Sequence, residues 1–128
     1  MDALLRLALF VGVIFSFVYM ASVFAGPKVQ TFELGKPMQE RVFLCLDVND
    51  LLPMFDMAVA GDMEVVKMLS VAAVRNGKCG AFPVEITYKK LIKEGKDAEG
   101  NLFTIYEAVV DGITVYVPLR NYRHRGDA

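Results

Sequence analysis

The pattern of hydrophobic and polar positions divides the chain into three parts. An uncharged, mostly apolar run extends from Leu7 to Ala25, and residues 47–77 are mostly apolar but bounded by capping and turn residues. From residue 82 onward, apolar and polar positions largely alternate. These patterns are typical of three different structures, namely a membrane-directed segment, buried helices and strands. The sequence therefore predicts an N-terminal apolar segment, a helical part and a sheet.

Two helices with almost no connection between them are predicted for residues 47–77. Asp47 or Asn49 can cap the first helix, and Gly61 provides its end. Asp62 follows at once as a new N-cap, and the second helix, "MEVVKMLSVAAVRN", ends at Gly77. These signals indicate an antiparallel helical hairpin.

The second half of the chain predicts an antiparallel meander. "FPVEITYKK", "LFTIYEAVV" and "ITVYVPL" have the alternation and the residue types of strands. The alternation in the second of them breaks around Glu107, which suggests a bulge or burial on both faces. Asp111–Gly112 is a hairpin signal, because both positions tolerate positive φ. With "VQTFEL" and "RVFLCLD" as further short strands, we expect an α+β fold, a helical hairpin packed on an antiparallel sheet of three or four strands.

The apolar run at the N-terminus has two interpretations that the sequence leaves open. Val23 and Ala25 occupy the small-residue positions of a signal-peptidase site, which predicts a cleaved secretory signal over residues 1–25. The run is 19 residues long, so it can also cross a bilayer of about 30 Å as a retained anchor. Both interpretations place the chain from Gly26 onward outside the cytoplasm. We expect a lead-in over residues 26–40, one exported domain over residues 41–121 and a flexible tail over residues 122–128.

Composition and motifs argue against several function classes. The net charge is −1, whereas nucleic-acid binding requires a basic surface. The chain lacks a phosphate-binding glycine loop, a nucleophile-elbow serine and a metalloprotease helix motif. We therefore expect no cofactor and no enzymatic activity, with an inhibitor of a hydrolase or a small hydrolase at the cell envelope as an alternative.

The two cysteines, Cys45 and Cys79, stand just before the first helix and just after the second. The outer ends of an antiparallel hairpin are neighbours, so in an oxidising compartment these thiols should pair. The disulfide closes a loop of 34 residues, which the chain-entropy model values at about 3–4 kcal/mol. A zinc site lacks sufficient ligands, a redox pair would show C-x-x-C spacing, and a nucleophile lacks a nearby base, because the only histidine is in the tail.

The first helix is apolar nearly all round, since its only charged residue between Leu51 and Ala60 is Asp56. Such a helix is either wholly buried or contacts something outside its own domain. We expect an exposed apolar face that binds a partner, formed by Leu51, Met54, Phe55 and Met57. The partner would be another envelope or extracellular protein, or a second copy of the chain. Contact with a membrane would be made only by residues 7–25.

The hairpin is also rich in methionine. Thioether sulfurs bind Cu(I), so periplasmic copper handling is an alternative function. Methionine is equally a common filler of irregular gaps in a core. The residues concerned are Met54, Met57, Met63 and Met68.

The last 45 or so residues resemble the SH3-like small barrels. In "GITVYVPLRNY" an apolar strand runs into a turn, with Pro118, Asn121 and Tyr122 at the matching positions. The resemblance implies a curled antiparallel sheet. It implies no ligand, because the groove tryptophan and the aromatic-acidic opening motif of peptide-binding SH3 domains are missing. The combined expectation is a non-enzymatic accessory protein at the envelope of a bacterium or of a phage-infected cell.

Overall fold

The computed structural model describes residues 29–125, which fold into a small β-barrel that carries two helices. The N-terminal run with its two interpretations, and residues 126–128 of the tail, lie outside this range. In chain order the elements are β1 (Gln30–Phe32), β2 (Met38–Cys45), α1 (Leu52–Val59), α2 (Met63–Arg75), β3 (Cys79–Lys96), β4 (Leu102–Val110), β5 (Ile113–Arg120) and β6 (Tyr122–His124). The predicted α+β class and the predicted helical hairpin are confirmed.

The barrel consists of β2, β3, β4 and β5, all antiparallel. The 18-residue strand β3 pairs with two strands in succession: residues 79–86 pair with β2, and residues 87–96 pair with β4. A bridge between Cys45 and Tyr116 closes the barrel between β2 and β5. β3 extends well beyond the predicted "FPVEITYKK" at both ends, from Cys79 to Lys96.

Two register shifts bend β3, and one of them lies opposite Glu107. There Tyr88 pairs with Ala108 and Lys90 pairs with Glu107, so that Lys89 is the extra residue. The predicted irregularity therefore exists, with its extra residue on β3. β4 is also buried on both faces at its start, because Tyr106 faces the barrel core while Ile105 packs under the helices.

The barrel core is aromatic. The ring centroid of Phe32 lies 4.7 Å from that of Tyr88 and 5.0 Å from that of Tyr106. Phe32 reaches this position because β1 pairs in parallel with β6. Tyr122–His124 thus form a strand, and the prediction of a flexible tail is wrong for these residues. Pairing of this kind between distant segments leaves no local signal in the sequence.

The helical insertion, residues 46–78, connects β2 to β3. Asp62 caps α2 by accepting a hydrogen bond from the Val65 amide at 3.3 Å, as predicted. Gly61 and Gly77 end the two helices with φ of 82° and 68°. α1 approaches the sheet closely at Gly95, where a Cβ atom would lie 3.1 Å from the side chains of Phe55 and Val59.

Two turns connect the last three strands, β4, β5 and β6. Asp111 and Gly112 have φ of 50° and 76°, which confirms the predicted hairpin turn. At the end of β5, Asn121 has φ of 59°, and its Oδ1 accepts a hydrogen bond from the Leu102 amide at 2.9 Å. This contact joins the end of β5 to the start of β4. The likeness of this region to SH3-like barrels stays a prediction.

Candidate functional site

The base of the helical insertion is closed by a disulfide between Cys45 and Cys79, as predicted. The two residues are the last paired positions of the β2–β3 ladder, and their Cα atoms are 4.1 Å apart. The Cys45 side chain is fully buried. A buried structural disulfide indicates an oxidising environment, which is where exported proteins fold.

The face predicted to bind a partner is not exposed. Leu51, Met54 and Phe55 are only 1 %, 6 % and 7 % exposed, and Met57 is half-buried. The prediction of an exposed surface at these residues is therefore wrong. The physical reason is that α1 packs against both α2 and β4, so its apolar sides are covered by its own domain.

Contacts from β3 and β4 hold α1 in this place. Phe103 and Ile105 belong to the same buried cluster as Met54 and Phe55. Lys93 on β3 covers the edge of the helix, with its Nζ 4.9 Å from the centre of the Phe55 ring and 3.3 Å from Asp56 Oδ1. α1 thus packs on the barrel along one side and on α2 along another.

Within the two helices, the large apolar side chains that face solvent lie on α2. Ala73 is the one fully buried residue of this helix, whereas Met68, Val71 and Val74 are 69 %, 45 % and 48 % exposed. Large apolar side chains clustered on one face of a helix mark interaction sites more often than scattered ones do. Of the surfaces on residues 29–125, this one is the clearest candidate for a protein contact.

An outer stripe runs along α2 and consists of Glu64, Met68, Val71 and Arg75. These positions follow the spacing i, i+4, i+7 and i+11, which places them in one row on a helix. All four line the same shallow depression, together with Lys67, Ala72 and Asn76. The sequence carries this signal at helical spacing, but α1 has fewer charges and therefore shows the stronger apolar pattern.

The outer stripe is acidic at one end and basic at the other. Glu64 lies in the first turn of α2 and Arg75 in its last turn, where each suits the helix dipole. Among residues 29–125, neither side chain forms a salt bridge. The stripe therefore offers two unmatched charges of opposite sign, separated by Met68 and Val71.

The methionines of the hairpin do not share one surface. Met54 is buried, and its sulfur accepts a hydrogen bond from the Ser70 hydroxyl at 3.5 Å, whereas Met68 lies on the outer face of α2. Copper handling stays a prediction, and a site built from all four methionines does not fit this arrangement. Between residues 29 and 125, no cluster of three or more His, Cys, Asp or Glu side chains is placed to hold a metal ion.

Within residues 29–125, two ionisable groups have clearly shifted pKa values. Burial, together with the negative charge of the neighbouring Glu40, raises the pKa of Tyr88 well above its usual range. Hydrogen bonds from the side chain and the amide of Asn101 lower the pKa of Asp97, which shapes the turn between β3 and β4. The lowered pKa of Asp97 has a structural cause, because its carboxylate also accepts a hydrogen bond from the Glu99 amide at 2.9 Å within that turn.

Neither helix of the described part of the chain is long and apolar enough to cross a membrane. Comparison of the chain with protein-family models, with curated proteins and with solved structures gave no match.

Proposed function

We propose that the chain is an exported, non-enzymatic interaction protein that pairs through the outer stripe of α2 with a second copy of itself. The observation that carries the proposal is the order of side chains along this stripe, acidic, apolar, apolar and basic. Such an order is self-complementary when two copies of a helix run antiparallel. An isologous contact around a two-fold axis is also the commonest form of protein association.

The pairing follows from the residue numbers. With the two-fold axis between residues 69 and 70, Glu64 of one copy lies opposite Arg75 of the other. Met68 then lies opposite Val71, and Lys67 lies opposite the small residue Ala72, which allows the helices to approach. The two charges left unmatched in one copy thus form two ion pairs in the dimer, on either side of a short apolar centre.

The contact is expected to be weak. A helix of 13 residues is about 20 Å long, and one such pair buries less than the 1,200 Å² or so of a stable protein interface. Each exposed ion pair contributes about 1 kcal/mol or less, so affinity comes mainly from Met68 and Val71. A weak contact becomes effective when copies are concentrated, as retention of residues 7–25 as an anchor in one membrane would do.

Export is supported by two independent observations. The disulfide favours an oxidising compartment, and residues 7–25 have the composition of a signal or an anchor. Together they favour an accessory role at the envelope of a bacterium or of a phage-infected cell. A different envelope protein with a matching helix would use the same stripe.

Sedimentation equilibrium of the oxidised protein over a wide concentration range tests the pairing. We expect reversible dimerisation that Val71→Asp abolishes, because the substitution buries a charge at the centre of the contact. Ile113→Asp is the matched control, since Ile113 is exposed at the β4–β5 turn and should not affect association.

Charge exchange tests the antiparallel geometry. Glu64→Arg and Arg75→Glu should each weaken the dimer, because like charges then face each other across the interface. The double variant should restore it. A protein that stays monomeric at all concentrations, or a double variant weaker than both single ones, would contradict self-pairing through this stripe.

A further inference from the structure

A carboxylate lies on the inward face of a barrel strand. Along β2, Val42 and Leu44 belong to the barrel core and Met38 packs against it. Successive side chains of a strand alternate between faces, so Glu40 shares the inward face with these three apolar residues. A charged residue in such a position is unusual unless it has a partner. The apolar packing of the barrel core therefore does not account for a carboxylate at this position.

The contacts of Glu40 leave it short of positive charge. The Tyr88 hydroxyl donates a hydrogen bond to Glu40 Oε2 at 3.0 Å. No Lys, Arg or His side chain of residues 29–125 forms a salt bridge with it. The cations Lys36 and Arg125 both pair with Glu33. Glu40 thus presents a carboxylate that a hydrogen-bond donor with a positive charge can complete.

Glu40 borders a cavity of about 240 Å³, the barrel-end cavity, where β2 begins and β5 ends. Its polar lining includes Glu40, Tyr88 and Tyr122, and its apolar lining includes Met38 and Leu119. The phenol and carboxylate oxygens accept hydrogen bonds, and aromatic rings attract cations. The cavity therefore combines the features that recognise a cation on an apolar stem.

We propose that the barrel-end cavity binds a primary alkylammonium group. The three protons of the ammonium group suit Glu40 and the two phenol oxygens, and the alkyl stem lies along Met38 and Leu119. Since one water takes about 30 Å³, the cavity has room for roughly eight water-sized groups, more than a butylammonium ion needs. A lysine side chain of a partner and a free amine carry the same group, and both are sources of it.

The protonation of the Tyr88 hydroxyl agrees with the binding of an ammonium group at Glu40. Burial and the charge of Glu40 raise the pKa of Tyr88, so its hydroxyl stays protonated and continues to donate to Glu40. This bond fixes one carboxylate oxygen and leaves the other to the ligand. Pre-positioned groups of this kind lose little freedom on binding.

Titration with n-butylammonium chloride, followed by amide NMR shifts of the oxidised protein, tests the proposal. We expect saturable shifts around Glu40, Tyr88 and Tyr122, with n-butanol giving much weaker ones at equal concentration. Sodium chloride controls for ionic strength. Equal shifts with n-butanol would overturn the proposal, because the charge would then have no role.

Variants locate the site. Glu40→Gln should weaken butylammonium binding by about tenfold or more, as expected for the loss of a charge-assisted hydrogen bond. Glu85→Gln is the matched control, because Glu85 lies on the neighbouring strand with its carboxylate bound by Gln39 at 3.2 Å, and it should bind like the wild type. Equal losses in both variants would contradict the site. Tyr122→Leu should also weaken binding, and serves where Glu40→Gln does not fold.

A lysine-containing peptide with blocked termini distinguishes the two sources. Binding of the peptide with an affinity equal to or above that of butylammonium assigns the cavity to a protein partner. Binding of butylammonium alone assigns it to a free amine. Failure of both ligands refutes the cavity proposal and leaves the self-pairing of α2 untouched, because the two sites share no residue.

Discussion

The barrel and the helical insertion use their apolar residues in opposite ways. In the barrel, side chains such as Ile86, Tyr106 and Val117 are completely buried. In the insertion, α1 is buried against the barrel and α2, whereas Met68, Val71 and Val74 of α2 are each about half exposed or more. The comparison indicates a division of roles: the barrel stabilises the fold, and α2 exposes an apolar surface to solvent.

The first and largest test of this division replaces a residue of the barrel core. Phe32→Ala should destabilise the protein by about 3–5 kcal/mol, because the ring is buried against Tyr88 and Tyr106. Val74→Ala on α2 should change the free energy of unfolding by about 0.5 kcal/mol or less. Urea unfolding of both variants measures the difference, and equal effects would remove the proposed division.

The second test removes the disulfide between β2 and β3 at the base of the insertion. The double variant Cys45→Ala, Cys79→Ala should lose about 3–4 kcal/mol of stability, because the disulfide closes a loop of 34 residues. Hydrogen exchange should show the larger loss of protection in α1 and α2, with β4 affected less. An unchanged urea midpoint would show that the ladder and the helix contacts hold the base of the insertion without the disulfide.

The third test affects the insertion alone. Asp62→Ala should cost about 1 kcal/mol, because the α2 N-cap loses its bond to the Val65 amide. Asp62→Ser keeps an acceptor and should lose much less. The NMR signals of Tyr88 and Tyr106 report on the barrel, and a change there in Asp62→Ala would mean that the two regions are more tightly coupled than their packing indicates.

The smallest expected effect concerns acid stability at the β3–β4 turn. The pKa of Asp97 is lowered in the folded protein, mainly by the Asn101 side chain. Its contribution to stability is therefore present above the usual Asp pKa of about 4 and is lost as the pH falls through the lower, folded value. Asp97→Asn should give a shallower fall of the urea midpoint in acid. A fall identical to that of the wild type would contradict the role of this carboxylate.

Most of the insertion was predictable because its signals are local. Gly61 and Asp62 mark the boundary between the helices, Gly77 ends the second, and the two cysteines bracket the pair. The turn at Asp111–Gly112 is equally local, because it depends on two residues that tolerate positive φ. Signals of this kind need no knowledge of the rest of the fold.

Features that depend on distant contacts were not predictable. The sequence showed two apolar helices, but which of them lies outermost depends on the side of the barrel that receives them. The polar residues at the end of β3 belong to a strand because β4 pairs with them there. The pairing of β1 with β6, about 90 residues apart in the chain, brings Phe32 into the barrel and makes a strand of Tyr122–His124.

The short distance across the base of the insertion has a consequence for how the chain can be rebuilt. Because the Cα atoms of Cys45 and Cys79 are 4.1 Å apart on paired strands, a two-residue hairpin turn can join β2 directly to β3. Residues 46–78 can then be removed, or exchanged for another segment, without interrupting the barrel. A barrel trimmed in this way would expose Phe103 and Ile105, and polar residues at these positions would keep it soluble.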